Sequence, residues 1–424
     1  MGISAAERRS GHTAWLATGL ALIVAMSACG GAQPAQRPMA PRDRVREAMQ
    51  AGNLGNAESE ARVLARGGSL DDQLLLAEVL LLRGRHAEAA DRLAPLAQQH
   101  PMHAEVAGLY ARALDALGRR AKAVTAYARR LRLAPGDAKA ALRMGSLLLA
   151  QDDALHASQV AAAGIKLHPR DAELRLLSAR ALLRRGRLPL ALKAANAGLQ
   201  IDPEQVSGWL VLARIQVGLG EHAQAESSLK RGLTYDAQRV DALRLLASLR
   251  AARGAHDLAV ITLRRALAVQ PDSPSLLNAI ATQRHRLGQT KQAIAALRKA
   301  VKIAPKQLVL HRNLAELLLE VGEIAEAVRI ARSAAALARR ADPMDPRLRA
   351  AIEETLSRVV CAEVMLTHIC SGGRDAAELA NALRTAFTQD GVTLDQTHME
   401  TTAAEVASHV KRAAARCKRP GATP

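Results

Sequence analysis

The residues of this 424-residue chain with the widest chemistry are its four cysteines and thirteen histidines. Cys29 stands directly behind Ser27-Ala28 and an apolar run from Ala14 to Met26. A short apolar run followed by small residues describes the end of a secretory signal, and this thiol stands at that end. Cys361, Cys370 and Cys417 gather near the C-terminus, where thiols can oxidise or ligate. No compact ligand spacing joins them to His368, His398 or His409, and no metal or cofactor is expected. There is no Gly-x-Ser-x-Gly elbow, no phosphate loop ending in Gly-Lys-Ser/Thr and no His-Glu-x-x-His pair, so catalysis is not expected either. His86, His222 and His256 fall at one recurring position, which predicts packing rather than acid–base work. The chemistry left is recognition. Lysine and arginine number 59 against 40 acids, a net charge of +19, which favours anionic partners. Aromatics make up only 1% of the chain, leaving little for nucleic-acid bases to stack on.

These groups are carried by a repeat. Gly84, Gly118, Gly186, Gly220, Gly254, Gly288 and Gly322 lie on a 34-residue grid that only Asp152 breaks. Alanine follows five residues later in all eight units, from Ala89 and Ala123 to Ala327. Pro101, Pro135, Pro169, Pro203, Pro271 and Pro305 close six of them. A second small position runs Ala77, Ala111, Gly145, Ala179, Ala213, Ala247, Ala281 and Ala315. A fixed period of this length means a solenoid whose units bury apolar faces against their neighbours. Each unit reads as two helices. In the first, Leu70–Leu82 carries Leu74, Leu75, Val79 and Leu82 at helical spacing. Gly84 breaks it, and His86–Gln99 follows until His100-Pro101. Pro95 should kink that second helix.

Period, small positions and terminal proline together resemble the tetratricopeptide repeat (TPR) family. The resemblance implies an all-α TPR solenoid of about eight to nine helix-turn-helix repeats with a small C-terminal helical piece. Eight full units span 70–341, and a degenerate unit occupies 43–69. The family's tryptophan at the fourth position survives only as Trp209. TPR proteins bind proteins or peptides in a concave groove lined by the first helices. Carried over by position, that groove holds Arg180, Arg184, Leu183, Arg214, Arg244, Asn278, His285, Arg286 and Arg312, preceded by Leu74, Glu78, Leu81 and Arg112. The lysine-and-asparagine clamp that some members close on a terminal carboxylate is absent.

The N-terminus supplies an address. Arg8-Arg9 precedes about 13 apolar residues, too few to span a bilayer as a mature helix, so residues 1–28 read as a signal peptide. Met26-Ser27-Ala28-Cys29 resembles the bacterial lipoprotein box. The resemblance implies cleavage before Cys29, lipid on its sulfur, and, with Gly30 following, an outer-membrane position facing the periplasm. Residues 29–42 would form an extended tether of at most about 40 Å.

Residues 342–424 lose the period. Three helices are predicted at 347–369, 375–388 and 398–416, with Thr397 and Glu400 as a capping box for the third. The piece could cap the solenoid or bind a partner. If the three helices alternate in direction, Cys370 and Cys417 close the first and third at the same end and form the expected disulfide. Cys361 should stay a buried apolar residue. Two functions remain open: a lipid-anchored scaffold for a protein partner in envelope assembly or secretion, resembling TPR lipoproteins of pilus secretins or exopolysaccharide export; or direct binding of an anionic envelope polymer or glycan along a basic groove. Nucleic acid is not expected.

Overall fold

In a computed structural model, residues 39–340, 345–370, 376–392 and 396–417 are described. Among them are 21 α-helices and no strand. None of these helices is long and apolar enough to cross a membrane. The chain divides between Pro135 and Gly136 into two compact units.

The first unit contains α1 (Pro41–Gln50), α2 (Leu54–Ala65), α3 (Leu70–Leu82), α4 (His86–Gln99), α5 (Ala104–Ala116) and α6 (Arg120–Leu133). The two helices of this unit predicted with bounds, α3 and α4, have those bounds. α1 begins two residues ahead of the predicted repeat, because Pro41 sits in its first turn, where a missing N–H costs nothing. α4 runs on through Pro95, whose ring lies on an exposed face.

The second unit contains fifteen of these helices, two in each of six repeats and three beyond them. They are α7 (Ala138–Ala150), α8 (Ala154–Leu167), α9 (Ala172–Arg184), α10 (Leu188–Ile201), α11 (Val206–Gly218), α12 (His222–Tyr235), α13 (Val240–Ala252) and α14 (His256–Val269). There follow α15 (Pro274–Arg286), α16 (Thr290–Ile303), α17 (Leu308–Glu320), α18 (Ile324–Arg340), α19 (Pro346–Cys370), α20 (Ala376–Gln389) and α21 (Gln396–Cys417).

The conserved spacing has a visible cause. Gly84 and Gly186 take φ of 74° and 68°, the left-handed conformation that ends a first helix. Asp152 takes the same turn with φ 62°, a conformation that aspartate tolerates better than most residues. Ala179, Ala191, Ala213 and Ala225 are fully buried. At Gly145 a β carbon would come within 2.4 Å of Leu177, so helices cross there at close range. The last repeat lacks the proline and its α18 spans 17 residues against 14 in α16, whereas α12 stops after 14 with Ala237 at the proline's place.

The C-terminal helices join the core of the last repeats. Ile352, Leu356, Val359 and Cys361 of α19, Phe387 of α20 and Val406 of α21 share one apolar cluster with α16, α17 and α18. Arg332 of α18 pairs with Asp390 at 2.9 Å, and Thr355 donates to Glu316 of α17 at 3.1 Å. α21 starts at Gln396, one residue before the predicted cap Thr397, whose side chain lies outside the described residues.

Candidate partner-binding face

The face is built from the first helices of the repeats. In two of them the small residue packs inward and the next residue, about 100° further round the helix, reaches solvent. Ala179 and Ala213 are buried, and Arg180 and Arg214 beside them are exposed. Arg244, at another of the inferred groove positions on α13, is exposed as well. Solvent reaches Arg180, yet protein surrounds it closely enough to push its pKa below the usual arginine value, with Glu173 partly offsetting the shift. That combination fits the wall of a hollow. Arginine keeps its charge regardless. Arg184 is exposed and pairs with Asp152 at 3.1 Å.

Further along, Asn278, Arg286 and Arg312 open onto one cavity of about 460 Å³. His285, also among the inferred groove residues, lines it with Glu316 and Glu320. Arg180, Arg184, Arg214 and Arg244 do not line it. Part of its polarity is internally matched. Asn313 donates to Asn278 at 2.9 Å, Arg312 donates to Asn313 at 3.2 Å, and His285 lies 3.5 Å from Glu320. Three buried nitrogens have no hydrogen-bond partner: His285 Nδ1 and the donors Arg312 Nε and Arg358 Nε. Glu316 lies 3.8 Å from Arg312 Nε, and Glu405 lies 3.8 Å from Arg358 Nε. The cavity therefore offers donors to an incoming acceptor.

Arg358 of α19 and His409 of α21 line this cavity too. Sequence reasoning missed them, because beyond the last repeat no period assigns a residue to a face. In the first unit Leu74 and Leu81 are only 3% and 8% exposed, so they belong to the core and not to a groove. Arg112 is exposed, and Glu78 is half-buried.

The recurrent histidines differ from one another. His256 makes a 2.9 Å hydrogen bond to Gln283, and His86 is half-buried with Nδ1 unpartnered. His222 is exposed, so it does not serve as packing. Trp209 is 9% exposed; its indole N–H donates to the Pro203 carbonyl at 2.7 Å, and Arg231 lies 4.9 Å over its ring. Cys361 is buried and free, and burial pushes its thiol up to about 12. Cys29 lies outside the described residues, as do the side chains of Cys370 and Cys417. No group of three His, Cys, Asp or Glu able to hold a metal occurs among the described residues.

The tetratricopeptide repeat family matches residues 74–138, 142–206 and 210–275, and again residues 285–353. No curated protein matches the sequence significantly. Among solved structures, the chain is similar to TTC0263, a TPR protein of Thermus thermophilus. Identity is 27% and the TM-score 0.37, over 43% of this chain and 99% of that one. A tetratricopeptide repeat protein of Parabacteroides merdae is similar at 16% identity and TM-score 0.47, over 57% and 97%. YrrB, described as a TPR protein with an unusual peptide-binding site, is similar at 16% and 0.36, over 44% and 96%. With the family matching more than half of its length, the chain belongs to the tetratricopeptide repeat proteins.

Proposed function

We propose that this protein is an exported scaffold, anchored through lipid on Cys29 in the bacterial envelope, that holds a protein partner on the first helices of its second unit. The envelope position, on the periplasmic side of the outer membrane, and a role in assembly or secretion rest on Met26-Ser27-Ala28-Cys29 and its apolar leader. The observation that carries the binding reading is the row of exposed arginines, Arg180, Arg214 and Arg244, on three successive first helices. Repeat proteins of this family bind proteins or peptides, which agrees with a recognition role and no catalytic one.

A protein partner is favoured over an anionic polymer by the mixed charge nearby. Glu316 and Glu320 stand among the arginines of the cavity, and Asp152 pairs with Arg184. A uniform polyanion would meet repulsion at these carboxylates, whereas a folded surface or peptide can match both signs.

Anchoring is tested by Cys29→Ala in the full chain, followed by membrane fractionation. The variant is expected in the soluble fraction or retained with its leader uncleaved. Wild-type fractionation and maturation of the variant would remove lipid anchoring from the account.

A further inference from the structure

A second binding place lies in the first unit, on helices other than those carrying the arginine row. Between α4, α5 and α6 is a cavity of about 460 Å³, near the lower end of the usual range for ligand sites, roughly 300–1,000 Å³. Its floor is apolar, with Ala97, Ala107, Leu114 and Ala126. Its rim is cationic: Lys122, Arg129 and Arg132 line it, and no acidic residue does.

The repeat itself indicates what fills such a space. Three periods on, Ala107 corresponds to Trp209, Arg129 to Arg231 and Pro101 to Pro203. In that later repeat the indole donates to the Pro203 carbonyl, lies under Arg231 and with both of them borders a cavity of about 450 Å³. In the α5–α6 repeat the corresponding indole is missing. Arg129 donates to Pro101 at 2.8 Å and to Ala97 at 3.0 Å, and Arg265 and Lys299 likewise donate to the corresponding Ala237 and Pro271 carbonyls in later repeats. An indole entering from outside can take the Pro101 carbonyl and return Arg129 to the ring face, where a guanidinium is attracted to the π system.

Ala97, Ala107 and Ala126 are too short to fill this place from within. In the later repeat Gly232 faces Trp209 at close range, and the residue corresponding to Gly232 is Arg130. We infer that the α4–α5–α6 cavity accepts an aromatic side chain, tryptophan in particular, carried on an acidic segment of a protein partner. The acidic flanks follow from the rim, since cationic side chains steer and retain carboxylates.

The full chain, purified in detergent, is titrated with dye-labelled Ac-Glu-Glu-Trp-Glu-Glu-amide and followed by anisotropy. Saturable binding is expected. Replacing the peptide tryptophan by alanine should weaken it at least tenfold. The double variant Ala107→Trp with Arg130→Gly transplants the internal arrangement and should also lower affinity at least tenfold. A surface variant, Lys122→Glu with Arg132→Glu, leaves the floor intact and should do the same with unchanged circular dichroism. The variant reversing Arg180, Arg214 and Arg244 should bind the peptide as wild type does, which separates this site from the face proposed above. No saturable binding, equal binding of the alanine peptide, or full affinity in the surface variant would overturn the inference.

Discussion

Ala225 is fully buried on α12, at the position where alanine recurs in every repeat. Leucine there has no space to enter without moving a neighbouring helix. Ala225→Leu should therefore cost about 1–3 kcal/mol, read from thermal melts. An unchanged melt would mean that the close approach is placed wrongly. The same logic explains which residues were legible in the sequence. Small residues and left-handed glycines have few alternatives at these places, so their spacing announced them; Asp152 is one such alternative, holding the turn where glycine is absent. The recurrent histidines were a weaker signal. Their position allows both burial and exposure, and His222 took the exposed choice.

At the scale of the element, α2 is tied to its neighbours by one carboxylate. Glu58 is 4% exposed and accepts from Arg62 at 2.8 Å, from Arg85 at 2.6 Å and from Arg83. Burial alone would raise its pKa, but the arginines outweigh burial and hold it below the usual carboxylate range. A folded-state pKa below the unfolded one means stability that is present above the unfolded pKa, about 4.3, and is lost as pH falls through the folded value. Glu58→Gln should lower stability near neutral pH by about 1–2 kcal/mol, with its partners half-exposed. It should also flatten the fall in melting temperature below about pH 4. An identical acid profile in the variant would show that the network contributes nothing. Arg62 stands four residues after Glu58, an ordinary helical spacing, but the pairings with Arg83 and Arg85 join residues 25 and 27 positions apart whose geometry the period does not specify. The C-terminal helices were legible as helices, within about two residues at their ends. Their docking was not, since apolar residues without a repeat name no partner. Arg358 and His409 entered the cavity unannounced for that reason.

For the whole molecule, the net charge of +19 is less decisive than its arrangement. Several arginines are already spent on internal pairs, such as Arg298 with Glu326 and Arg332 with Asp390. Arg180, Arg214 and Arg244 remain exposed on successive first helices of one unit, and the account assigns partner recognition to them. The most direct measurement is capture from detergent-solubilised membranes by immobilised wild type and by the triple variant Arg180→Glu, Arg214→Glu, Arg244→Glu. Exposed charges contribute little to folding, so the helical circular-dichroism signal should be unchanged. The account predicts a protein, removable by protease treatment of the membrane extract, whose recovery falls at least tenfold with the variant and declines with salt for wild type. Equal recovery by both proteins, with the same dependence on salt, would contradict it.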